Sequence, residues 1–285
     1  MVVEEKFVDV EGVKIRYLVN SPEAGAAPGL PLLFLHGYIA SAETWDPVVS
    51  ALGAKHMIVR PDLPDHHSSS AIPDKDHSMA RYRRIMGAFL RTLPGGKWGL
   101  VGNSIGGMLA GMIALDQPEK VDRLVLLDPA GLVYPFPSST TRLYTPLILP
   151  AFLFAPSEKK WRSFLGKSCF YDPKFVEDAW VQRLRTEWGP RARRKPLLSA
   201  GMAVRKHDAS LAQNLEKLAC PTLLLWGRQD AQFNLSIGES AVKRLPKGRL
   251  TIFENCGHMP QVEKSHEVAR AILDFVDGPA GTPSP

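Results

Sequence analysis

The stretch WGLVGNSIGG at residues 98–107 joins an apolar strand to a helix rich in small residues. Its centre, Gly102-Asn103-Ser104-Ile105-Gly106, fits the pattern G-x-S-x-G, with the strand before it and the helix after it that this pattern requires. A sharp strand-to-helix turn lifts the serine hydroxyl above the sheet, and its strained backbone needs neighbours without a Cβ atom. We therefore predict that Ser104 is a nucleophile rather than an incidental serine in a glycine-rich joint.

The same turn indicates where a negatively charged oxygen could be stabilised. The N–H of Ile105 lies at the start of the predicted helix, where the helix dipole favours negative charge. His36-Gly37-Tyr38 follows a buried apolar run at residues 32–35, and we expect the N–H of Tyr38 to be the second donor. For the His36 side chain we expect a buried imidazole that hydrogen-bonds carbonyl groups of the loop.

Beyond this stretch, apolar strand patterns alternate with helical patterns. A hairpin-like pair opens the chain, joined by the turn Glu11-Gly12. Strands are predicted at residues 6–10, 13–19, 32–35, 57–60, 98–101, 124–127, 222–226 and 250–253, and helices near residues 45–52, 79–93, 105–115, 237–245 and 262–277. Such alternation indicates βαβ units, so the predicted fold class is α/β with a mostly parallel sheet flanked by helices.

The alternation stops near Asp128 and resumes at Pro221. Between these points, proline breaks, many aromatic residues and helix-like stretches replace the strands. We predict that residues 134–207 are a mainly helical insertion after the sixth strand, placed over one edge of the sheet. Residues 1–133 and 208–277 then form the core domain, and the terminal GPAGTPSP at residues 278–285 is a disordered tail.

Eight histidines compete for the role of general base. Only His258 directly follows a late predicted strand, in a short loop from which an imidazole can reach the carboxyl edge of the sheet, where ligands and chemistry collect. For the carboxylate that orients it, chain order and loop position favour Asp230, which follows the strand at residues 222–226. Asp128 ends the strand at residues 124–127 and also points at this edge, so it remains the rival.

A cluster of polar residues in the loop RPDLPDHHSSS could suggest a metal site. Two adjacent histidines, His66 and His67, point in different directions, and no distant ligand pair matches a zinc pattern. We expect a solvated loop in which Asp62 and Asp65 make turns. Because no dinucleotide-binding or phosphate-binding glycine pattern occurs either, we expect neither a metal nor a cofactor.

The order of four motifs, HGY, GNSIGG, WGRQD and CGHMP, resembles that of the α/β-hydrolase superfamily over about residues 5–277. The resemblance implies a mostly parallel eight-stranded sheet, a cap formed by the insertion, and a catalytic triad of Ser104, Asp230 and His258. The motifs are most similar to those of capped esterases and of hydrolases that cleave carbon–carbon bonds in meta-cleavage products. The stretch YIASAETW replaces the glycine- and proline-rich segment usual in the latter, which weakens the carbon–carbon assignment.

Three functions follow from this resemblance as hypotheses. The first is a serine hydrolase that cleaves a carboxylic ester through an acyl-enzyme, with Tyr38 and Ile105 holding the oxyanion. The second is a carbon–carbon bond hydrolase with the same triad, and the third is a low-turnover ligand-binding receptor of the same fold. The aromatic content of the insertion favours a small apolar or aromatic substrate.

Composition sets wider bounds on these hypotheses. The chain has 285 residues, 45% of them hydrophobic, and carries 35 Lys+Arg against 29 Asp+Glu. This rules out a disordered or fibrous chain, and the surplus is too small to indicate nucleic-acid binding. No secretory signal, bilayer-spanning run or CxxC pair among the three cysteines is visible, so we expect a reduced cytoplasmic compartment. Oligomeric state is left open.

The positive charge is concentrated in the insertion. Residues 151–206 hold 13 Lys+Arg and 5 Asp+Glu, whereas the rest of the chain is slightly acidic. A solvated helical face accounts for this most simply. Attraction of an anionic substrate and contact with an anionic membrane surface are the other two interpretations.

Overall fold

The computed structural model describes residues 3–22, 29–52, 55–133, 157–188 and 210–278. Its centre is an eight-stranded sheet with strand order β1-β2-β4-β3-β5-β6-β7-β8. The second strand pairs antiparallel with both of its neighbours, and the other pairings are parallel. The strands are β1 Val3–Val10, β2 Val13–Asn20, β3 Leu32–Leu35, β4 Ile58–Pro61, β5 Trp98–Asn103, β6 Val121–Leu127, β7 Thr222–Gly227 and β8 Gly248–Phe253.

Helices cover the sheet and continue into the predicted insertion. In chain order the α-helices of the described ranges are α1 Asp46–Leu52, α2 Met79–Thr92, α3 Ile105–Asp116, α4 Glu158–Ser168, α5 Asp178–Trp188, α6 Ser210–Gln213, α7 Leu235–Val242, α8 Pro260–Glu263 and α9 Ser265–Asp277. Short 3-10 helices occur at Ala42–Trp45, Pro173–Phe175 and Leu215–Lys217. The predicted α/β class with a mostly parallel eight-stranded sheet is confirmed.

Both faces of the sheet are buried, as the continuous apolar runs predict. In β3, Leu33 and Leu35 point into one core cluster, whereas Leu32 and Phe34 point into the cluster on the opposite face. Helices α2, α3 and α7 pack against the first face, and α1 and α9 pack against the second. Because successive strand residues face opposite sides, a strand covered on both sides has no polar alternation.

The strand order determines where the candidate residues meet. Strands β3, β5, β6, β7 and β8 are consecutive neighbours and all parallel. Their carboxyl ends therefore lie along one edge of the sheet, and each is followed by a loop that carries one of the sequence-predicted residues. Ligands bind at this edge in open α/β sheets.

Most predicted elements differ from the structure by one to three residues at their ends, and three differences have a structural explanation. Strand β1 begins at Val3 rather than at residue 6, because it is an edge strand with mostly exposed residues and lacks a continuous buried pattern. The predicted helix at residues 45–52 is preceded by the 3-10 helix Ala42–Trp45. The predicted helix at residues 262–277 is interrupted at Lys264, whose backbone leaves the helical region with φ −133° and ψ 39°.

Helices α4 and α5 form a small apolar cluster of their own. Trp161, Leu165 and Phe170 are buried with Val181, and Met259 of the core domain joins them. Trp161 and Phe170 are therefore aromatic residues of the predicted insertion that pack in its own apolar cluster. Residues 134–156, 189–207 and the tail at 279–285 lie outside the described residues, so the cap and the domain division stay predictions.

The loop after β4 is buried, which contradicts the solvated loop predicted for it. The Asp62 carboxylate accepts hydrogen bonds from the Ala42 N–H at 2.9 Å and from the Arg16 guanidinium at 3.1 Å. Asp65 accepts from the Tyr82 hydroxyl at 2.6 Å, and its other partners include His77 at 2.8 Å. These carboxylates do make turn contacts, but donors from β2 and α2 draw the loop onto the sheet, a packing that the local sequence does not encode.

Truncating an apolar residue under the sheet should destabilise the fold. Ile272 of α9 is fully buried between the helix and the sheet, so we expect Ile272→Ala to lower the free energy of unfolding by about 2–5 kcal/mol. Denaturant titration followed by circular dichroism measures this change. Arg270→Ala on the exposed face of the same helix is the control and should change it by less than about 0.5 kcal/mol. Equal effects would contradict the packing of α9.

Candidate active site

The turn at Ser104 has a strained backbone. Ser104 lies between β5 and α3 with φ 55° and ψ −120°, a region that non-glycine residues rarely adopt. Backbone hydrogen bonds tie it to β6 and the loop after β6, from the Ser104 N–H to the Leu127 carbonyl and from the Ala130 N–H to the Ser104 carbonyl, each 3.0 Å long. A Cβ atom on Gly102 would lie 2.4 Å from the Gly106 carbonyl oxygen, so the tight turn requires glycine there.

Gly106 explains how closely the helix approaches the neighbouring strand. A Cβ atom at this position would lie 2.2 Å from the Leu35 carbonyl oxygen at the end of β3. The helix α3 therefore begins directly beside the loop that follows β3. Its first residue is Ile105, whose N–H is one of the predicted oxyanion donors.

The loop after β3 lies against the serine. A Cβ atom built on Gly37 would be 3.3 Å from the Ser104 Cβ, so the peptide that leads into Tyr38 is adjacent to the nucleophile candidate. His36 fixes this loop, because its Nδ1 lies 2.7 Å from the Gly37 carbonyl oxygen and its Nε2 accepts the Leu63 N–H at 2.9 Å. Burial lowers the pKa of His36 to about 4, so the imidazole is neutral at neutral pH. The expectation of a buried histidine that bonds loop carbonyls is confirmed.

His258 and Asp230 contact each other. The Nδ1 atom of His258 lies 2.8 Å from Oδ2 of Asp230. Oδ1 of Asp230 accepts two backbone N–H groups, from Gln232 at 2.6 Å and from Phe233 at 3.1 Å. The Phe233 ring also packs edge-on against the imidazole, with 5.2 Å between ring centroids. The carboxylate therefore holds the imidazole with its proton on Nδ1, which leaves Nε2 to accept a proton.

Asn103 connects the serine turn to the histidine loop. Its Nδ2 group donates to the carbonyl oxygens of Leu127 and His258, both at 3.2 Å. Because Asn103 directly precedes Ser104 and is buried, this contact fixes the distance between the two loops. It occupies the first variable position of G-x-S-x-G, where the motif alone gives no reason to single it out.

Gln229 connects the loops that carry Asp230 and His258. Its N–H donates to the Cys256 carbonyl at 2.9 Å, and its Oε1 accepts the Cys256 N–H at 3.0 Å. This reciprocal pair joins the ends of β7 and β8 two residues before the histidine. The loops are therefore held by backbone and amide groups that do not titrate.

Glu263 links the histidine loop to the segment after α4. One carboxylate oxygen accepts the Gly257 N–H at 2.7 Å, and the other accepts the N–H groups of Tyr171 at 2.8 Å and Asp172 at 3.1 Å. Burial raises the pKa of Glu263, an effect that the three N–H donors oppose. The His258 N–H also donates to the Cys169 carbonyl at 2.9 Å, so three of these hydrogen bonds join residues 257–263 to residues 169–172.

Asp128, the rival for the orienting role, lies beside this arrangement. It is completely buried at the end of β6, and its Oδ1 accepts the Gly227 N–H at 3.1 Å. Burial and the charge of Asp230 raise the pKa of Asp128 well above its usual range. The carboxylate in contact with the Nδ1 atom of His258 is that of Asp230, as the sequence favoured.

No group of three or more His, Cys, Asp or Glu side chains within the described ranges is arranged to hold a metal ion. All three cysteines are free thiols. Burial raises the pKa of Cys169 to about 12, so this thiol is protonated near neutrality and is a poor nucleophile despite its position beside the site. Ser104 is left as the nucleophile candidate at this edge of the sheet.

Comparison with known families agrees with this geometry. Residues 31–265 match the family model described as alpha/beta hydrolase fold. The chain belongs to the α/β-hydrolase family. It is thus a hydrolase of this fold, and the family resemblance inferred from the four motifs is confirmed.

Relatives of the chain include enzymes named for two different kinds of bond. Monoacylglycerol lipase ABHD6 of Mus musculus is 28% identical over 251 residues, which cover 86% of this chain and 75% of that protein. The 2-hydroxy-6-oxononadienedioate/2-hydroxy-6-oxononatrienedioate hydrolase of Burkholderia vietnamiensis is 27% identical and covers 95% of both chains. The crystal structure of a membrane phospholipase A, a bacterial virulence factor, has a TM-score of 0.84 at 27% identity and covers 97% of this chain and 86% of its own.

The structure brings the five predicted residues to one edge of the sheet, and their catalytic roles stay predictions. Sequence reasoning missed Asn103, Gln229 and Glu263, which hold the loops together without any local motif. Glu263 lies five residues after His258, and the helical positions that follow on its face, His266 and Glu267, are polar too, so no local signal marks it for burial. Such a residue must find hydrogen-bond donors when it is buried.

Replacing Glu263 with glutamine should loosen the two segments that it joins. Glutamine keeps one acceptor oxygen but points an N–H₂ group at backbone N–H donors, so we expect Glu263→Gln to lower the free energy of unfolding by about 1–3 kcal/mol. Hydrogen exchange measured by mass spectrometry should speed up in peptides that contain residues 169–172 and 257–258.

Glu267→Gln on the exposed face of α9 makes the same chemical change outside this network and serves as the control. It should leave both exchange and stability unchanged. Exchange that stays slow at residues 169–172 and 257–258 in Glu263→Gln would show that the carboxylate does not join these segments.

Proposed function

We propose that the protein is a serine hydrolase that cleaves a carboxylic ester through an acyl-enzyme on Ser104. The observation that carries this proposal is the 2.8 Å contact between His258 and Asp230 at the sheet edge where Ser104 occupies a strained strand-to-helix turn. A serine, then an orienting carboxylate, then a histidine base is the chain order expected of α/β-hydrolases. Relatives named as lipases support the assignment to ester bonds.

Acylation begins with attack of the Ser104 Oγ on the ester carbonyl carbon. The Nε2 atom of His258 takes the hydroxyl proton as the new bond forms, and Asp230 stabilises the resulting imidazolium through Nδ1–H. The carbonyl oxygen becomes an oxyanion that accepts the N–H groups of Ile105 and Tyr38. When the tetrahedral intermediate collapses, the alcohol leaves with the proton from Nε2, and the acyl group stays on Ser104.

Deacylation repeats these steps with water as the nucleophile. His258 takes a proton from water as the oxygen attacks the acyl carbon, and the same two N–H groups hold the second oxyanion. The intermediate collapses to the carboxylic acid, and the Ser104 oxygen recovers its proton from Nε2. The reaction consumes one water and needs no cofactor.

We propose a small apolar or aromatic substrate. Tyr38 and Ile39 follow the loop beside the serine, and Met259 follows the histidine. All three contact the apolar cluster formed by α4 and α5, so apolar side chains border the reacting groups on this side. The basic run RARRK at residues 191–195 lies outside the described residues, and contact with an anionic membrane surface or an anionic substrate remains an alternative to a solvated face.

Carbon–carbon bond cleavage is the second candidate function. It is supported by the similarity over 95% of both chains to a 2-hydroxy-6-oxononadienedioate/2-hydroxy-6-oxononatrienedioate hydrolase. The same triad serves both chemistries, so the geometry at Ser104 does not separate them. The third hypothesis, a receptor that binds a ligand with negligible turnover, predicts tight binding without product.

We also propose that the protein is located in the cytoplasm. No helix within the described ranges is long and apolar enough to cross a membrane.

A substrate panel should separate these functions. We expect turnover of p-nitrophenyl butyrate and of a monoacylglycerol, and Ser104→Ala should lower kcat/KM for both by at least about 10³-fold because the nucleophile is lost. Ser240→Ala on the exposed face of α7 is the matched control and should retain full activity.

Turnover of a 2-hydroxy-6-oxo-dienoate decides between ester cleavage and carbon–carbon bond cleavage. Faster Ser104-dependent turnover of this substrate than of any ester would overturn the ester assignment in favour of carbon–carbon cleavage. Ester turnover that is unchanged in Ser104→Ala would contradict the mechanism, and ligand binding without any turnover would favour the receptor.

A further inference from the structure

One oxygen of the Asp128 carboxyl group, at the end of β6, has no hydrogen-bond donor among the described residues. Its side chain is completely buried, and its Oδ2 atom accepts no hydrogen bond from any residue that the structure describes. A buried carboxylate oxygen without a donor is costly, because its interaction with water is lost and nothing replaces it. The backbone of Asp128 also has a positive φ of 40°, so the position is held under strain.

The neighbour of this carboxyl group is a second carboxyl group. Asp128 and Asp230 both bond to Gly227, Asp128 Oδ1 to its N–H and the Asp230 N–H to its carbonyl oxygen, each at 3.1 Å, which brings the two carboxyl groups side by side. Two ionised carboxylates are both acceptors and repel each other, so the contact is favourable only when one of them carries a proton. A shared proton would give Oδ2 of Asp128 the partner that it lacks.

The surroundings determine which of the two carries the proton. Asp230 accepts three hydrogen bonds, from His258 Nδ1 and from the N–H groups of Gln232 and Phe233, so both of its oxygens already face donors. Among the described residues, Asp128 accepts one N–H group, that of Gly227. The proton therefore belongs on Asp128.

We propose that Asp128 is a protonated carboxylic acid that donates a hydrogen bond to Asp230 and thereby positions the carboxylate that orients His258. The inference deepens the proposed function and rests on it for the role of Asp230. The Asp128 carboxyl acts through Asp230 and touches no reacting atom, so Asp128 is a positioning residue.

Other titratable groups around the pair favour the same state. Glu263 contributes negative potential at Asp128, and burial together with the charge of Asp230 raises the pKa of Asp128 well above its usual range. Cys256 lies near the pair, and burial raises the pKa of its thiol, so it stays neutral. The imidazole of His258 faces Asp230 on the other side of the pair.

The first test uses activity and conservative rescue. In Asp128→Asn, the amide oxygen can still accept the Gly227 N–H and the amide N–H₂ can donate to Asp230, so we expect kcat within about threefold of the wild type. Asp128→Ala removes the donor, and kcat should fall about 10- to 100-fold with KM little changed, the scale of one hydrogen bond to a charged group. Loss of activity in Asp128→Asn equal to that in Asp128→Ala would overturn the proposal.

The second test needs no substrate. A carboxyl group whose folded-state pKa is raised destabilises the fold as pH increases from its unfolded value, near 4, towards its folded value. Asparagine lacks this ionisation, so the melting temperature of Asp128→Asn relative to the wild type should rise steadily over that pH range. Asp274→Asn, a change at an exposed position of α9, should show no such trend and is the control.

Melting temperature and ester turnover distinguish an error in the proposed Asp128–Asp230 hydrogen bond from an error in the proposed function. A flat difference in melting temperature for Asp128→Asn would show that Asp128 is ionised at all these pH values and would overturn the pair, even if esters are cleaved. A rising difference without turnover of any ester would preserve the pair and contradict the proposed activity. If Asp128→Ala fails to fold, the pH dependence of Asp128→Asn decides the question.

Discussion

The strained turn at Ser104 is the constraint on which the rest of the site depends. A serine backbone held at φ 55° and ψ −120° costs of order 1–3 kcal/mol of conformational free energy. Contacts with the surrounding structure must therefore hold the residue in this conformation. Hydrogen bonds to β6 and the loop after it, together with the close approach of Gly106 to β3, supply that support. The turn needs a strand on either side of β5, and the central position of β5 in the sheet provides both. The fold thus positions a hydroxyl group at the start of a helix.

A second requirement is that the loops after β3, β6, β7 and β8 keep a fixed position relative to Ser104. The structure meets it with buried or half-buried polar side chains that join one loop to another: Asn103 between β5 and β8, Gln229 between β7 and β8, and Glu263 between the histidine loop and the segment after α4. Buried polar groups of this kind are tolerated only when they are hydrogen-bonded, so each bond also specifies a single loop arrangement. The proposed hydrogen bond from protonated Asp128 to Asp230 extends this network. Neither the sequence nor the backbone indicates that proton.

How much of this the sequence predicts depends on how local the cause is. The glycine spacing around Ser104, the strand before it and the helix after it are neighbours in sequence, and they predict the turn correctly. The placement of Asp230 and His258 follows from strand order, because parallel strands end at one edge. The partner of Asn103, in contrast, is 155 residues away, and no local pattern predicts that contact. The loop around Asp62 was expected in solvent and is buried for the same reason, since its donors come from β2 and from the segment after β3.

Covalent labelling tests most directly the claim that Ser104 is a nucleophile activated by His258. The protein would be incubated with a fluorophosphonate that reacts with activated serines, and the adduct would be mapped by mass spectrometry. The account predicts a single adduct on Ser104 in the wild type, formed at least about 10³-fold more slowly in His258→Gln, because the base that removes the hydroxyl proton is lost. An adduct on another residue, or equally fast labelling of Ser104 in His258→Gln, would contradict it.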